Sequence, residues 1–417
     1  MSSTTTTYSA FLKRRFPQDK FVRDQIGKNR PFFEAMKMKT DFSGKSTNIP
    51  ILHQRPQGVA STRAKAQSNA TNVQGKEQVI QNGRYAASVY IGLEVLLAAR
   101  NNAGAFLDNK TAEIESLYDE ALDNIAYSAT GNGGNSIGKV DANYTSGNDI
   151  TLEDPADAFK FEVGMTIVTA AADGATSTDS VDSGSTTVTA IDRATGILTV
   201  DDATDLTGLA ASRFIFRDGD FAGDSGTVVL KGIQTIVAGS ATPDALYGLT
   251  AGDRAVDPWR FGGVYIASGD LTNLNDEERI QLLGVYMKGR AKSTPPKTGY
   301  LHPENWNNLS LSLQQRGYIP RTDPDSKWGH QYLSVNTGGV EQKIKADPFF
   351  PKDIYFALNH DHLFLDSMGA LLGPVDQDGV TILRSAVADT FEHRLVSFPV
   401  IFANSFVRHG RAALNAA

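Results

Sequence analysis

The chain has 417 residues, 41% of them hydrophobic and 21% charged, and a formal net charge of −7, which allows two or three soluble domains with a sizeable core. It contains no cysteine, which excludes disulfides and thiolate metal sites. No apolar run approaches the roughly 20 residues of a membrane span, and the N-terminus lacks the apolar core of a signal peptide, so we expect a protein made in a cytoplasm and not exported.

The N-terminal segment is basic and has no regular apolar face. Residues 1–30 contain seven Lys or Arg side chains and two Asp side chains. Large apolar residues such as Phe11 and Phe21 are scattered with only a short helical period. We therefore expect an arm that depends on other surfaces for burial.

A polar stretch separates two apolar segments that follow the arm. A strand is predicted at 45–52, residues 53–83 are polar, and residues 84–99 are apolar again. Such a stretch is either disordered or a two-stranded finger with no core of its own, and a lone ribbon is marginally stable in water. Residues 51–84 carry five basic and one acidic side chain.

The strongest helix signal covers residues 104–127. Leu107, Ile114, Tyr118 and Ile125 recur at helical spacing, and the segment carries six acidic side chains and one lysine. Blocks of opposite charge in one chain indicate that copies of it meet each other.

The sequence GGNSIGKV at 133–140 is one residue short of a phosphate-binding loop, because Val140 stands where Ser or Thr is required. Such a loop follows a strand and opens a helix, whereas this one follows the end of a helix. The pattern therefore favours a flexible hinge.

Residues 150–217 form an island of β-rich composition with eleven acidic and four basic side chains. A turn signal at 192–196 favours a hairpin, and the segment is predicted to be a small inserted β-barrel or sandwich. After residue 221 the pattern is mixed α and β. Further elements are predicted as helices at 272–291 and 304–317, a strand at 297–303, a hairpin at 353–366 and a closing strand pair at 393–410.

Four patterns resemble sites of chemistry, and each is better explained by structure alone. The GDSG at 223–226 lacks the histidine and aspartate of a serine protease in usable positions. Asp218 and Asp220 begin like a calcium loop, but Ala222 and Val229 occupy ligand positions. His360 and His362 would share a strand face without a predictable third zinc ligand. The basic arm lacks the interleaved aromatics of a nucleic-acid motif. No catalytic residue, cofactor site or metal site is predicted.

The order of these features resembles the major capsid protein of tailed bacteriophages, with the Hong Kong 97-type (HK97-like) capsid fold. The phrases that carry the resemblance are GKSTNIPILHQRPQGVA, the segment AARNNAGAFLDNKTAEIESLYDEALDNIAYSATGNG, FGGVYIASGDLTN, ADPFFPKDIYFALN and FEHRLVSFPVIFANSFVR. The resemblance implies an α+β fold with an N-terminal arm, an extended β-hairpin loop, a long spine helix, and peripheral and axial domains. The inserted β-domain is an addition that the family tolerates.

The resemblance also implies a division of the chain and a function. The expected parts are the arm (1–44), the finger (45–90), a peripheral domain with the spine helix (91–149), the inserted β domain (150–217), a mixed axial and peripheral part (218–380) and C-terminal return strands (381–417). The implied function is a non-enzymatic icosahedral shell protein of the virion, assembled in the host cytoplasm. The implied partners are copies of itself in hexamers and pentamers, with portal, scaffold and decoration proteins, and packaged DNA through non-specific contact only; no membrane is involved. An acidic chain suits a DNA container, because strong phosphate binding would hinder release.

The charge blocks give a specific prediction about contacts between neighbours. The finger's basic residues are expected to approach acids on the spine helix of an adjacent subunit, since the finger is expected to project from its own body. The basic set is Arg55, Arg63, Lys65 and Lys76. The acidic set is Asp108, Glu115, Asp119 and Asp123. The alternative is that both sets are solvated faces. Some family members also cross-link loop lysines to asparagines; Lys65 and Lys76 are available, but no acceptor is fixed by a local pattern.

Two rival functions remain open from the sequence alone. A secreted β-rich surface-layer or adhesin-like protein would suit the Asp-rich insert and the absence of cysteine, although the missing signal sequence and the acidic helix argue against it. A hydrolase would rest on the GDSG alone.

Overall fold

The computed structural model has an α+β fold, as the sequence predicts, built from one large mixed sheet, several smaller sheets, one long helix and several shorter helices. The described parts are residues 30–39, 42, 44, 46–92, 109–175, 180–222, 229–266, 274–315, 321–322, 331–369, 371–375, 382–384 and 389–415. Most of the arm and the GDSG at 223–226 therefore lie outside the described residues.

The long helix predicted near residue 104 is present from Asn109 to Thr130, three residues beyond its predicted end. Residues 104–108 lie outside the described part. Ile125 and Ala129 are buried on its inner face, which matches the apolar period of the sequence. The α-helices in the described ranges are α1 (Pro31–Ala35), α2 (Arg63–Ser68), α3 (Asn109–Thr130), α4 (Ile233–Ile236), α5 (Ala251–Ala255), α6 (Pro258–Gly262), α7 (Asp276–Gly289) and α8 (Pro303–Gln314).

Helix α7 confirms the prediction for 272–291, with a later start. The backbone N–H of Asn275 donates to Glu278 at 2.9 Å, which completes a capping box and stabilises the first turn. Helix α8 confirms the next predicted helix; its N-cap is His302, and its first residue is Pro303, a favoured first helical residue because its missing N–H is not needed there.

Strands from the second half of the chain form a seven-stranded mixed sheet. Its order is β11-β22-β16-β12-β15-β14-β13. The strands are β11 (Val264–Ile266), β12 (Thr298–Leu301), β13 (Arg321–Thr322), β14 (Gln331–Thr337), β15 (Val340–Ala346), β16 (Ile354–Leu358) and β22 (Gly410–Ala413). Helices α7 and α8 pack on it through Leu283, Met287 and Leu309, all buried.

The predicted hairpin at 353–366 is wrong, although both of its strands exist. Strand β16 pairs with β12 and β22. Strand β17 (Leu363–Ser367) pairs instead with β1 (Lys37–Lys39) and β21 (Pro399–Ala403) in a three-stranded sheet. A turn signal marks where a strand ends, but the partner is chosen by burial and by the rest of the fold.

The closing strand pair predicted at 393–410 is also not a pair. Strand β20 (Thr390–Ser397) pairs with β4 (Tyr85–Gly92), β18 (Gly373–Pro374) and β19 (Ile382–Arg384), whereas β21 belongs to the sheet of β17. The chain therefore passes from one sheet to the next at Phe398.

The residues predicted as an insert, 150–217, form a six-stranded antiparallel sheet together with residues 138–149, in the order β5-β10-β7-β8-β9-β6. The strands are β5 (Gly138–Lys139), β6 (Asp149–Thr151), β7 (Thr166–Ala170), β8 (Thr186–Asp192), β9 (Ile197–Val200) and β10 (Phe214–Arg217). The two ends of the sheet are joined by a bridge between Val140 and Leu152 and by a bond from the N–H of Glu153 to the carbonyl of Lys139, 2.8 Å long. The sheet is thus closed into a small barrel around Phe161, Ile167 and Ile215.

Candidate functional site

The finger forms the two-stranded ribbon that the sequence allowed. Strand β2 (Ser46–Gln54) pairs antiparallel with β3 (Gln74–Gln81), and α2 lies in the connection. In these two strands only Ile51, Gln78 and Ile80 are buried, and α2 has no buried residue. The ribbon therefore has few buried side chains, and the connection at its outer end, residues 55–73, has none.

The two strands of the finger rest on the body of its own chain. The N–H of Val79 donates to the carbonyl of Tyr247 at 2.7 Å, and Lys76 forms a salt bridge with Asp253 at 2.8 Å. The rings of His53 and Phe261 lie 5.4 Å apart. The expectation that the finger projects from the body is therefore wrong for its two strands.

Apolar side chains are exposed on the outer part of the finger. Leu52 is 64% exposed, Val59 is 85% exposed and Val73 is 49% exposed. Isolated apolar residues on a surface are common, but these three lie on one ribbon without a core. Burying them requires contact with another surface.

The structure separates the four predicted basic residues of the finger into two groups. Arg55, Arg63 and Lys65 are exposed, the last two on α2. Lys76 has an acidic partner in its own chain, Asp253, and hydrogen bonds from Lys76 and Thr250 hold the pKa of that carboxyl at about 2.

The predicted acidic residues lie on or before α3. Asp108 and the side chain of Glu115 lie outside the described residues. Asp119 is half-buried, and its carbonyl accepts from Arg30 at 3.1 Å. Asp123 forms a salt bridge with Arg30 at 2.6 Å, and burial nevertheless raises the pKa of Asp123 because desolvation outweighs the pairing. These contacts attach the start of the described chain to α3. Contact with a neighbour stays a prediction for both charge sets.

The loop that resembles a phosphate-binding motif is a packed junction, so the expected flexible hinge is wrong. It connects α3 to the barrel, and Lys139 lies in β5, where it forms a salt bridge with Glu153 at 2.6 Å. The Thr235 hydroxyl donates to the carbonyl of Asn132, and the Asn132 amide donates to Asp173 at 2.9 Å. A Cβ on Gly134 would lie 1.9 Å from the Asp173 carbonyl oxygen.

The two predicted histidines have partners within the chain. His360 Nε2 lies 2.9 Å from the Tyr300 hydroxyl, and His362 Nδ1 lies 2.8 Å from Asn404. Asp220 accepts from Asn124 at 3.1 Å. Within the described residues, no group of three or more His, Asp or Glu side chains could hold a metal ion.

The sequence did not predict a groove between the finger and the body, which we call the basic groove. Its volume is about 370 Å³. Its wall includes Leu52 and Val73 of the finger and four cations, and none of the acidic side chains that the structure describes lines it. The cations are Arg55, Arg260, Lys292 and Arg408. No local pattern could have revealed them, because three of the four come from separate parts of the body.

No protein-family model matches the chain, and no curated protein matches it. Solved structures are similar over nearly its whole length. The cyanophage A-1(L) capsid matches over 98% of both chains, with 11% identity and a TM-score of 0.49. The phage G major capsid proteins, solved with decoration proteins, match over 99% of both chains, with 10% identity and a TM-score of 0.40. A virus-like particle from Pyrococcus furiosus matches over 93% of this chain and 94% of that chain, with 9% identity and a TM-score of 0.33.

Within the described residues, no helix is long and apolar enough to cross a membrane.

Proposed function

We propose that this chain is the major capsid protein of a tailed bacteriophage, with the Hong Kong 97-type fold, which assembles with copies of itself into an icosahedral shell around double-stranded DNA. The observation that carries the proposal is the finger. It is a two-stranded ribbon of the kind that the sequence resemblance implies, held on the body by a few buried side chains and with no buried residue in the connection at its outer end.

The finger explains why a neighbour is needed. An isolated two-stranded ribbon is marginal in water, and the outer part of this one exposes Leu52, Val59 and Val73. In a closed shell the same surface meets the same neighbour at every position, so one contact is repeated by symmetry. Because the contact is repeated around the shell, it can hold the assembly together even if each copy of it is weak.

The proposed contact joins the finger of one subunit to the spine helix of the next. Because Lys76 already has a partner in its own chain and Arg55 lines the basic groove, the contact depends mainly on the exposed cations Arg63 and Lys65. The acids that they approach are Asp108, Glu115 and Asp119. An exposed ion pair contributes roughly 0–1 kcal/mol, so several pairs act together.

The proposed role, location and partners follow from assembly into a shell. The role is structural and not enzymatic, the location is the virion after assembly in the host cytoplasm, and the partners are portal, scaffold and decoration proteins. Contact with packaged DNA is non-specific, as the net charge of −7 favours weak phosphate binding. The divisions at residues 44, 90, 217 and 380 are proposed as domain boundaries, and the division predicted at 149 is moved to about residue 136 because the barrel includes β5.

The experiment is purification of the full chain followed by negative-stain electron microscopy. We expect rings of five or six subunits, or closed shells, when the salt concentration is lowered and the protein is concentrated. A chain that remains monomeric under all assembly conditions would contradict the proposal. Extended planar lattices would instead support a surface-layer protein.

A further inference from the structure

The basic groove has an unbalanced charge. Arg260 pairs with Asp257 at 3.1 Å. Arg55, Lys292 and Arg408 have no acidic partner among the residues that the structure describes. Positive charge gathered in a concave site attracts an anionic partner and orients its approach. The exposed side chains of Leu52 and Val73 on the same wall would lose water on contact.

The turn that presents Lys292 is fixed in an unusual conformation. Lys292 has a φ of 51°, in the left-handed region that a side chain rarely adopts. The turn is held by the N–H of Ser293, which donates to the carbonyl of Met287 at 2.8 Å, and by Ala291, whose N–H donates to Tyr286. Strained backbone that the surroundings hold in place is more common at functional sites. The hydrogen bonds of this turn therefore hold Lys292 in place at the groove.

A complementary acidic surface lies at one end of the barrel, and we call it the acidic rim. Its four carboxylates are exposed, and none has a basic partner within the described ranges. They are Asp149, Asp201, Asp202 and Asp205. Asn148 organises the rim, because its amide donates to the carbonyl of Asp201 at 3.2 Å and its side-chain oxygen accepts from Ala203 at 3.1 Å. Donation from Thr204 lowers the pKa of Asp202, which keeps it ionised.

We propose that the basic groove of one copy receives the acidic rim of a second copy of this chain. The argument is charge complementarity: the groove has cations without acids, and the rim has acids without cations. The contact joins two different surfaces, so it is heterologous and links copies in series. The inference rests on the proposed function, since the second copy is a neighbour in the shell, and it adds a partner surface that differs from the spine helix.

The absence of natural cysteine allows a clean test by cross-linking. One variant combines Thr294→Cys in the groove with Thr204→Cys in the rim; both positions are exposed. We treat the full chain, concentrated under assembly conditions, with a short bis-maleimide cross-linker and separate the products on a denaturing gel. The expected result is a ladder of trimers and larger species containing most of the chains, and its yield should fall at least about fivefold in 1 M salt because the Debye length is then about 3 Å.

Four control variants define the contact. Each single cysteine variant can form dimers at most. Thr294→Cys with Thr195→Cys places the second thiol beside Asp192 at the opposite end of the barrel, with matched exposure and a nearby acid. Thr294→Cys with Ser116→Cys places it on α3. A ladder from either of these pairs that equals or exceeds the ladder from the rim pair would overturn the proposal.

Failure of this inference can be told apart from failure of the proposed function. Shells that form without the ladder would overturn the groove contact and leave the capsid role intact. A ladder without shells would support the groove contact and contradict the capsid role. Neither shells nor a ladder would overturn both.

Discussion

At the scale of single residues, the buried carboxyl of Asp347 is a source of pH dependence. Its oxygens accept from the N–H groups of Phe32 at 2.9 Å and Phe349 at 3.0 Å. Burial still raises the pKa of Asp347 to about 7, because desolvation of the charge outweighs both bonds. The bond to Phe32 also fixes the first turn of α1 against the body.

Asp347→Asn should change how stability depends on pH. A carboxyl whose pKa is raised in the folded state contributes stability that is fully present below about pH 4 and is lost as the pH rises to about 7. The parent chain should therefore lose up to roughly 4 kcal/mol relative to the Asn variant between these values, at 1.36 kcal/mol per pKa unit. Urea unfolding of the unassembled protein at several pH values measures the difference, and parallel stability curves would contradict the prediction.

His360 provides the internal control, because its effect has the opposite sign. Burial lowers the pKa of His360 to about 4, so the stability linked to its neutral form is present above about pH 6.5 and is lost as the pH falls toward 4. His360→Gln should therefore reduce the loss of stability on acidification. Both groups lie beside Phe32, which donates to Asp347 and whose ring is 6.2 Å from that of His360, so the double variant measures whether the two titrations are coupled.

At the scale of secondary-structure elements, the junction after α3 depends on the absence of a side chain at Gly134. A Cβ there would lie 1.9 Å from a backbone oxygen of Asp173, which a shift of a flexible side chain cannot relieve. Gly134→Ala should therefore destabilise the protein by about 2 kcal/mol or more, in the range of overpacked sites. Gly289→Ala is the matched control: its Cβ would meet no atom within 4 Å, and alanine favours a helix by up to about 1 kcal/mol. Equal urea midpoints for the two variants would show that the junction is not tightly packed.

The elements that could be predicted are those indicated by residues within the element itself. Helix α3 follows from the spacing of residues such as Ile125, and α7 follows from its cap and its basic end. The pairing of β16 and β17 could not be predicted, because their partners lie far away in the sequence. Strand β5 was missed because two residues in a glycine-rich stretch carry no β signal. The basic groove was missed because its cations are brought together only by tertiary structure.

The barrel gives a prediction about where an independent unit begins. A fragment of residues 150–217 would lack β5 and the bridge between Val140 and Leu152 that closes the sheet. A fragment of residues 136–218 retains β5 and the bridge, and it buries Val140. We expect the longer fragment to unfold cooperatively on heating and the shorter one to be less stable, because it leaves a strand edge open. Circular dichroism melting curves compare them, and equal melting temperatures would support the boundary at 150.

At the scale of the whole molecule, the distribution of charge matters more than its sum. The described chain satisfies many of its own charges locally, as Lys76 does with Asp253 and Arg30 does with Asp123. Arg63 and Lys65 are exposed on α2, which has no core beneath it. A surface of this kind contributes little to the folding of one copy, so its effect should appear in association.

Charge reversal on α2 should therefore impair assembly while leaving each subunit folded. Arg63→Glu with Lys65→Glu places acids where cations are proposed to meet a neighbour's spine helix, and Glu115→Lys with Asp119→Lys in the same chain should partly restore assembly by reversing the other side. Each pair is worth at most about 1 kcal/mol, but the contact recurs at every position of a shell, so the yield of shells should fall severalfold at low salt. The matched control is Lys288→Glu with Lys297→Glu, which makes the same change in net charge at exposed positions elsewhere. Sedimentation and electron microscopy measure the yield. Full assembly of the α2 variant at low salt, where the Debye length is longest, would mean that these cations only keep the subunit soluble.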